Sequence, residues 1–281
     1  ASVRNGFAPD SPYNAFLPYD IKQFAVFGEV SYDLSDAFTA TAGGRYYDFK
    51  ETRSFVSGGL FANGDNRTDS TKSSGFTPRF LLSYDLSDAV TVNAQASKGF
   101  RLGGVNDPLN VPLCTPQDQA IFGGFQSYGD EKLWNYEAGL KAQTGMVTFN
   151  AAAFYTDIKD LQVTLDAGSC SSRIVFNVPE AHSMGVEFEL AGEVAPGFDI
   201  GLSGTLLEAE FDSSLPEPLA TSTGIREGNR LPTVPKFQIS ANATYSFPVS
   251  DDAEAYVSAT FQHVGSRFTQ PADQENNPRS F

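Results

Sequence analysis

Among 281 residues the chain has two histidines, two cysteines, two methionines and one tryptophan, and these scarcities remove whole classes of function. His182 and His263 sit in separate segments without a Ser/His/Asp order or metal-ligand spacing around them, so no catalytic residues, enzyme activity, metal or cofactor are expected. Basic residues are also scarce: 19 Lys and Arg against 34 Asp and Glu leave a formal charge of −15, which argues against nucleic acid as a partner. Solvated acidic loops are the expected source of that charge. No run of 18 apolar residues exists, so no transmembrane helix is expected. Nor does a charged-then-apolar leader stand at Ala1, although an exported protein needs one.

What is present is a repeat. Ser31-Tyr32-Asp33-Leu34-Ser35-Asp36-Ala37-Phe38 returns as Ser83-Tyr84-Asp85-Leu86-Ser87-Asp88-Ala89-Val90. Looser copies stand at Thr144-Gly145, Ala195-Pro196-Gly197 and Ser250-Asp251-Asp252, giving five tight turns at steps of 52 to 57 residues. Such a period indicates an array, propeller or closed barrel. Between the turns, apolar and polar residues alternate strictly, as in Phe24, Val26, Gly28, Val30, Tyr32 against Gln23, Ala25, Phe27, Glu29, Ser31. Ten strands of roughly ten residues are predicted, the length that crosses a bilayer at a tilt of about 45°. Aromatics flank both ends of the apolar face: Tyr32, Phe38, Tyr84, Phe198, Tyr245 and Phe247 beside the tight turns, Tyr46, Phe76, Phe100, Trp134 and Tyr136 at the far ends. That two-girdle layout predicts an all-β, antiparallel up-and-down transmembrane β-barrel segment. The mean hydropathy of −0.24 looks like a soluble protein because an alternating strand hides its lipid face from a window average. A secreted soluble propeller-like binding protein shares the period and is the more distant alternative.

Long polar segments, Phe55 to Lys72, Leu102 to Lys132, Lys159 to Ser183 and Asp212 to Val234, alternate with the turns. They are predicted as extracellular loops and the turns as periplasmic. An open sheet leaves unpaired edges in hydrocarbon, so the chain is expected to be incomplete; if the mature C-terminus is periplasmic, parity requires an odd number of further strands after Phe281.

Three strings carry a family resemblance: Ala96-Ser97-Lys98-Gly99-Phe100-Arg101-Leu102-Gly103-Gly104, the run from Tyr128 through Trp134-Asn135-Tyr136-Glu137-Ala138-Gly139 to Lys141, and Ala153-Phe154-Tyr155-Thr156-Asp157-Ile158. Together with Asn177-Val178-Pro179-Glu180-Ala181 and Gly228-Asn229-Arg230-Leu231-Pro232, they resemble the C-terminal half of a TonB-dependent outer-membrane receptor. The resemblance runs over roughly Ile21 to Phe268. It implies that residues 1–281 are part of a 22-stranded barrel, about strands 10 to 19, with the plug domain and the final strands outside the chain. It implies active uptake of an iron-siderophore complex or another scarce nutrient through the outer membrane of a Gram-negative bacterium, energised by TonB. The partners then are membrane lipid, the receptor's own plug, TonB and the nutrient. A passive porin shares the lumen and the loops, and remains an alternative.

Alternation places Arg45, Arg79, Glu137, Lys141, Glu187, Glu189 and Lys236 on the inner face. Arg79 and Glu137 match the family's barrel charges that pair with the plug; hydration of the wall is the competing role. Phe61, Arg101, Phe122, Phe125 and Tyr128 are candidate ligand-loop residues. Cys114 and Cys170 fall in neighbouring loops at an oxidising surface, so a bridge is expected, with two independent thiols as the alternative.

Overall fold

A computed structural model describes residues 5–8, 11–62 and 66–276. In chain order the strands are β1 (Asn14–Phe16), β2 (Tyr19–Ser35), β3 (Phe38–Gly58), β4 (Asn66–Ser87), β5 (Val90–Arg101), β6 (Gly104–Val105), β7 (Ser127–Tyr128), β8 (Glu131–Thr144), β9 (Val147–Asp166), β10 (Arg173–Ala195), β11 (Phe198–Phe211), β12 (Phe237–Ser250) and β13 (Ala253–Val264). Three short helices, α1 (Pro116–Phe122), α2 (Leu219–Thr223) and α3 (Asp273–Asn276), lie in the connections and after the last strand. Among the described residues no helix is long and apolar enough to cross a membrane.

Eleven strands form one antiparallel sheet in which each long strand pairs with the next, while β6 and β7 pair separately. β1 and β2 lie in line along the same flank of β3, at Phe16↔Val56 and Tyr19↔Arg53. Leu17 and Pro18 break that line, since proline has no N–H for the ladder. The sheet is thus a meander of ten long strands, the wall of an up-and-down barrel.

All five tight turns fall at the repeated positions. The repeat is chemical as well as conformational: Thr39 Oγ1 donates to Asp33 Oδ1 at 2.7 Å, and Thr91 Oγ1 to Asp85 Oδ1 at 2.6 Å. Each of these turns carries a register shift, at Asp33/Ser35 and at Asp85/Ser87. At Gly197, with φ of 69°, a β-carbon would lie 2.3 Å from the Ser246 carbonyl oxygen, so that turn admits only glycine.

The ladder turns alternation along each strand into two continuous surfaces. One row of paired residues runs Tyr32, Ala40, Leu82, Ala94, Ala138, Ala153, Val186, Leu206, Phe237. The adjacent row runs Asp33, Thr39, Ser83, Asn93, Gly139, Ala152, Glu187, Thr205, Gln238. The first is apolar throughout, and its face leaves Val30, Phe80 and Phe261 more than half exposed, which is costly in water and favourable against lipid. Both rows begin beside a tight turn at β2 and end at the opposite end of β12, so the strands are strongly tilted, as a barrel wall requires. At the turn end, Phe38 packs edge-on to Tyr84 with centroids 6.2 Å apart, and Phe198 to Tyr245 at 6.4 Å. At the far end Trp134 stacks on Tyr136 at 6.1 Å.

Two expectations need correction. β3, β4, β9 and β10 have 21, 22, 20 and 23 residues, about twice the predicted length, so most of the segments 55–72 and 159–183 are strand rather than loop. The ladders simply continue beyond the apolar band, where their side chains become polar or pack under loops. Phe100, expected in the outer girdle, instead stacks on Tyr47 of the inner face at 3.8 Å. The β4–β5 ladder has already ended at Arg79↔Ser97, so at Phe100 the strand is paired on one flank alone, through Phe100↔Lys132 of β8.

The buried core lies at the loop end, not within the sheet. Val163 and Leu165 of β9 and Ile174, Phe176 and Val178 of β10 pack with Leu109, Phe122, Phe211, Leu215 and Ile225. These strand positions continue in parity the face that carries Tyr155 and Met184 nearer the turns. The ladder skips Asp160, at φ 55°, and Pro179; beyond that break the apolar face is covered by the flanking connections. Replacing Ala151, mid-strand between Leu140 and Phe188 on the outward face, with Arg is expected to destabilise the barrel in a bilayer by about 2 to 4 kcal/mol, and Arg at the inward neighbour Ala152 to cost far less. Denaturant unfolding in lipid vesicles measures both, and equal costs contradict the assignment of faces.

Candidate functional site

The inward rows line a concave cavity of about 780 Å³, bounded among others by Arg79, Gln95, Glu137, Lys141, Glu187 and Glu189. Arg79 reaches across β3 to Glu29, Nη1 to Oε2 2.8 Å. It passes over Gly43, where a β-carbon would meet the Glu29 side chain at 3.2 Å, so the missing side chain opens the path. The Arg79 Nε donates to Gln95 Oε1 at 3.3 Å, and Gln95 Nε2 donates to Glu137 Oε2 at 3.4 Å. Arg79 and Glu137 therefore belong to one hydrogen-bonded chain across β2, β4, β5 and β8. Glu187 and Glu189 face the same cavity with no ion-pair partner among the described residues. Arg45 is exposed on the inner face of β3, and Lys236 is exposed just before β12. The cavity wall is a polar, net acidic surface.

A strap closes part of the mouth. The segment Val105–Asp107, between β6 and the helix α1, is held on one side by the inner face of β3 and β4. Arg53 donates to the Val105 carbonyl at 2.9 Å and pairs with Asp107 at 2.5 Å, and Arg67 donates to the Asn106 carbonyl at 2.7 Å. On the other side Asn106 exchanges bonds with the backbone of Val175 in β10, Nδ2 to O 2.6 Å and N to Oδ1 2.8 Å. β11 pairs with β10 only from Ala181, so Asn106 satisfies an edge that the ladder leaves open. Arg53 also lies over the rings of Tyr19 and Phe55, at 4.7 and 4.5 Å. Arg53, Arg67, Asn106, Asp107 and Glu29 were not singled out from the sequence. In the sequence Arg67, Asn106 and Asp107 fall in segments assigned to loops, Arg53 falls just before one, and Glu29 falls on the inner face of a predicted strand.

The candidate ligand-loop residues separate. Phe61 is exposed in the turn after β3. Arg101 is tied to Glu131 at 2.5 Å and to the Gln162 carbonyl at 2.7 Å. Tyr128 is half-buried beside Gly104, its hydroxyl pKa raised by burial and then by Glu51. Phe122 is 2% exposed, and Phe125 packs on Phe176 at 5.4 Å. For Phe122 this corrects the expectation: as loop core it presents no surface to a ligand, because an apolar ring in a 30-residue connection is buried whenever a neighbouring strand offers an apolar face.

Cys114 and Cys170 form a disulfide with α-carbons 4.1 Å apart. Beside it Asp118 accepts from Ser169 N at 2.9 Å, Ser169 Oγ at 2.5 Å and Thr115 Oγ1 at 2.9 Å. These bonds, the Ser169 hydroxyl foremost, lower the Asp118 pKa.

The fold has counterparts in known proteins. A family profile described as TonB dependent receptor-like, beta-barrel, matches residues 2–280. The chain belongs to that family. Curated pesticin receptors of Yersinia enterocolitica and Yersinia pestis are 25% identical to it over 230 residues, 82% of this chain and 31% of theirs. The fold is shared with the ferric yersiniabactin uptake receptor FyuA from Yersinia pestis, at a TM-score of 0.71 and 22% identity over 94% of this chain and 37% of that one. It is shared also with the siderophore receptor PiuA from Acinetobacter baumannii, at 0.63 and 18% over 88% and 34%. The chain thus spans about a third of the length of these relatives. TonB-dependent receptor barrels are Gram-negative outer-membrane proteins, and in this barrel the tight turns are periplasmic and the strap and helices extracellular.

Two outcomes follow for the mouth. The lowered Asp118 pKa means its bonds are fully present above the ordinary carboxylate value, near pH 4, and are lost as pH falls through the lower folded value. Hydrogen exchange at Ser169 is expected to rise as pH falls through that range, after correction for the intrinsic rate, and Asp118→Asn to abolish the dependence. The pair Cys114→Ser and Cys170→Ser releases a connection of 56 residues; thermal unfolding is expected to show a loss on the order of 3 to 4 kcal/mol.

Proposed function

We propose that this chain is part of the wall and mouth of an outer-membrane active transporter that takes up an iron-siderophore complex or similar scarce nutrient, energised through TonB. On this reading residues 1–281 supply about strands 10 to 19 of a 22-stranded barrel. A plug domain and the TonB-contacting segment lie earlier in the protein, and the final strands later. The observation that carries the reading is the inner face: a charged, net acidic surface beneath a strapped mouth, set one residue out of phase with a lipid-compatible outer face. Glu187 and Glu189, with no cation of their own among the described residues, suit a basic partner inside the lumen. Arg79 and Glu137, linked through Gln95, suit charges on a plug that must seat and release. Relatives named as a ferric yersiniabactin uptake receptor and a siderophore receptor support iron-siderophore cargo. In this role the chain binds and guides; it carries out no covalent chemistry.

In the full-length receptor, Arg79→Gln with Glu137→Gln removes charged hydrogen bonds of about 1.5 to 3 kcal/mol each. Uptake of a labelled ferric siderophore is expected to change about tenfold while cell-surface binding stays within about twofold. Dissipating the proton gradient is expected to abolish uptake in the unmodified receptor. Uptake that survives it identifies a passive pore, and an unchanged double variant reduces the two residues to hydration of the wall.

A further inference from the structure

Three of the chain's eight lysines stand directly opposite one another on adjacent strands. Lys22 pairs with Lys50 across β2 and β3, and Lys50 with Lys72 across β3 and β4. The ladder has no register shift near them, and all three are exposed. Their parity is that of Phe24, Val26, Tyr46 and Phe76, so they lie on the outward, lipid-side face rather than in the lumen.

Such a row is unfavourable by itself. Like charges directly opposite on neighbouring strands destabilise a sheet, and here neighbouring strands are about 5 Å apart. None of the three has an ion-pair partner among the described residues. Two carboxylates share the outward face nearby, Asp48 in the row Phe24, Asp48, Ser74 and Asp20 in the row Asp20, Thr52, Ser70. Three ammonium groups outnumber them, and the flanking Thr52, Ser70 and Ser74 add hydroxyl donors. At a net charge of −15 the protein repels anions in general, so a locally cationic row stands apart from its surroundings.

Its height identifies the anion. Val26, Tyr46 and Phe76 form one lateral row at the extracellular girdle, and Lys22, Lys50 and Lys72 lie four residues further along each strand. At about 3.4 Å per residue and a tilt near 40°, that is about 10 Å beyond the girdle, at the outer edge of the lipid headgroup layer and well outside the hydrocarbon.

We propose that Lys22, Lys50 and Lys72 form a binding site for the phosphate of an outer-leaflet lipid headgroup, anchoring this side of the barrel. The proposal rests on the outward face being the lipid face, which the Ala151 and Ala152 substitutions test separately. The three flexible stems converge ammonium point charges on one phosphate, and occupation relieves the repulsion that the bare row carries.

The test uses the full-length receptor in phosphatidylcholine nanodiscs doped with a bis-phosphorylated glucosamine lipid or its dephosphorylated form, with bound lipid read by native mass spectrometry. The unmodified receptor is expected to retain the phosphorylated form preferentially. Lys22→Gln, Lys50→Gln and Lys72→Gln together are expected to weaken that retention by roughly fivefold per lysine removed. Lys141→Gln on the inner face is expected to leave it unchanged. If the triple variant does not insert, Lys50→Gln alone and added salt on the unmodified receptor carry the test, each expected to weaken retention. Equal retention of the two lipid forms, or retention within about twofold after Lys50→Gln, overturns the proposal.

Discussion

Backbone hydrogen bonding in hydrocarbon is the constraint from which the rest of this molecule follows. An unpaired N–H or C=O there costs several kcal/mol, so consecutive strands pair throughout the band that carries the apolar face. Pairing of that completeness locks side chains to a strict two-residue period, and the period separates an apolar from a polar surface. The row from Tyr32 to Phe237 and its neighbour from Asp33 to Gln238 are one residue out of phase, yet they face different solvents. A slip of β10 by one residue against β9 and β11 would put Glu187 into lipid and Val186 into the cavity.

Where the strands leave the bilayer the constraint relaxes and the molecule becomes irregular. The β4–β5 ladder stops at Arg79↔Ser97, β10 runs on without β11 below Ala181, and Asp160 and Pro179 interrupt a hairpin. Water, side chains and loops can satisfy a backbone there. Asn106 shows how, taking the place of an absent strand at Val175 while its own carbonyl accepts from Arg67. The loop core of Phe122, Phe176 and Phe211 then gives the extracellular part the buried apolar volume that a barrel wall lacks. The disulfide and the Asp118 bonds fix that core at its outer edge.

The charges divide by position in the same way. On the inner face they form a relay, Glu29 to Arg79 to Gln95 to Glu137, in which Gly43 clears the space. At the mouth Arg53 and Arg67 are half-buried on aromatic rings and grip a backbone segment. On the outer face the lysines have no opposite number of their own. The mouth charges are paired within the chain, whereas Glu187 and Glu189 inside and the three lysines outside have no ion-pair partner among the described residues.

The meander, its five turns and the division of its faces were legible in the linear chain, because a two-residue period and a repeated Ser-Asp turn are local properties that every strand states again. Family membership was legible for a related reason, since strings such as Asn135-Tyr136-Glu137-Ala138-Gly139 are contiguous. Strand ends were not. The ladders of β9 and β10 continue past Lys159 because their positions Val163, Leu165, Ile174 and Phe176 meet Leu109, Phe122 and Phe211, residues tens of positions away. The burial of Phe122, the Arg79 to Glu29 pair and the row of Lys22, Lys50 and Lys72 likewise depend on register between separate strands. Only the tertiary structure decides them, because the sequence specifies which face a side chain takes along its own strand, while cross-strand register determines what stands beside it.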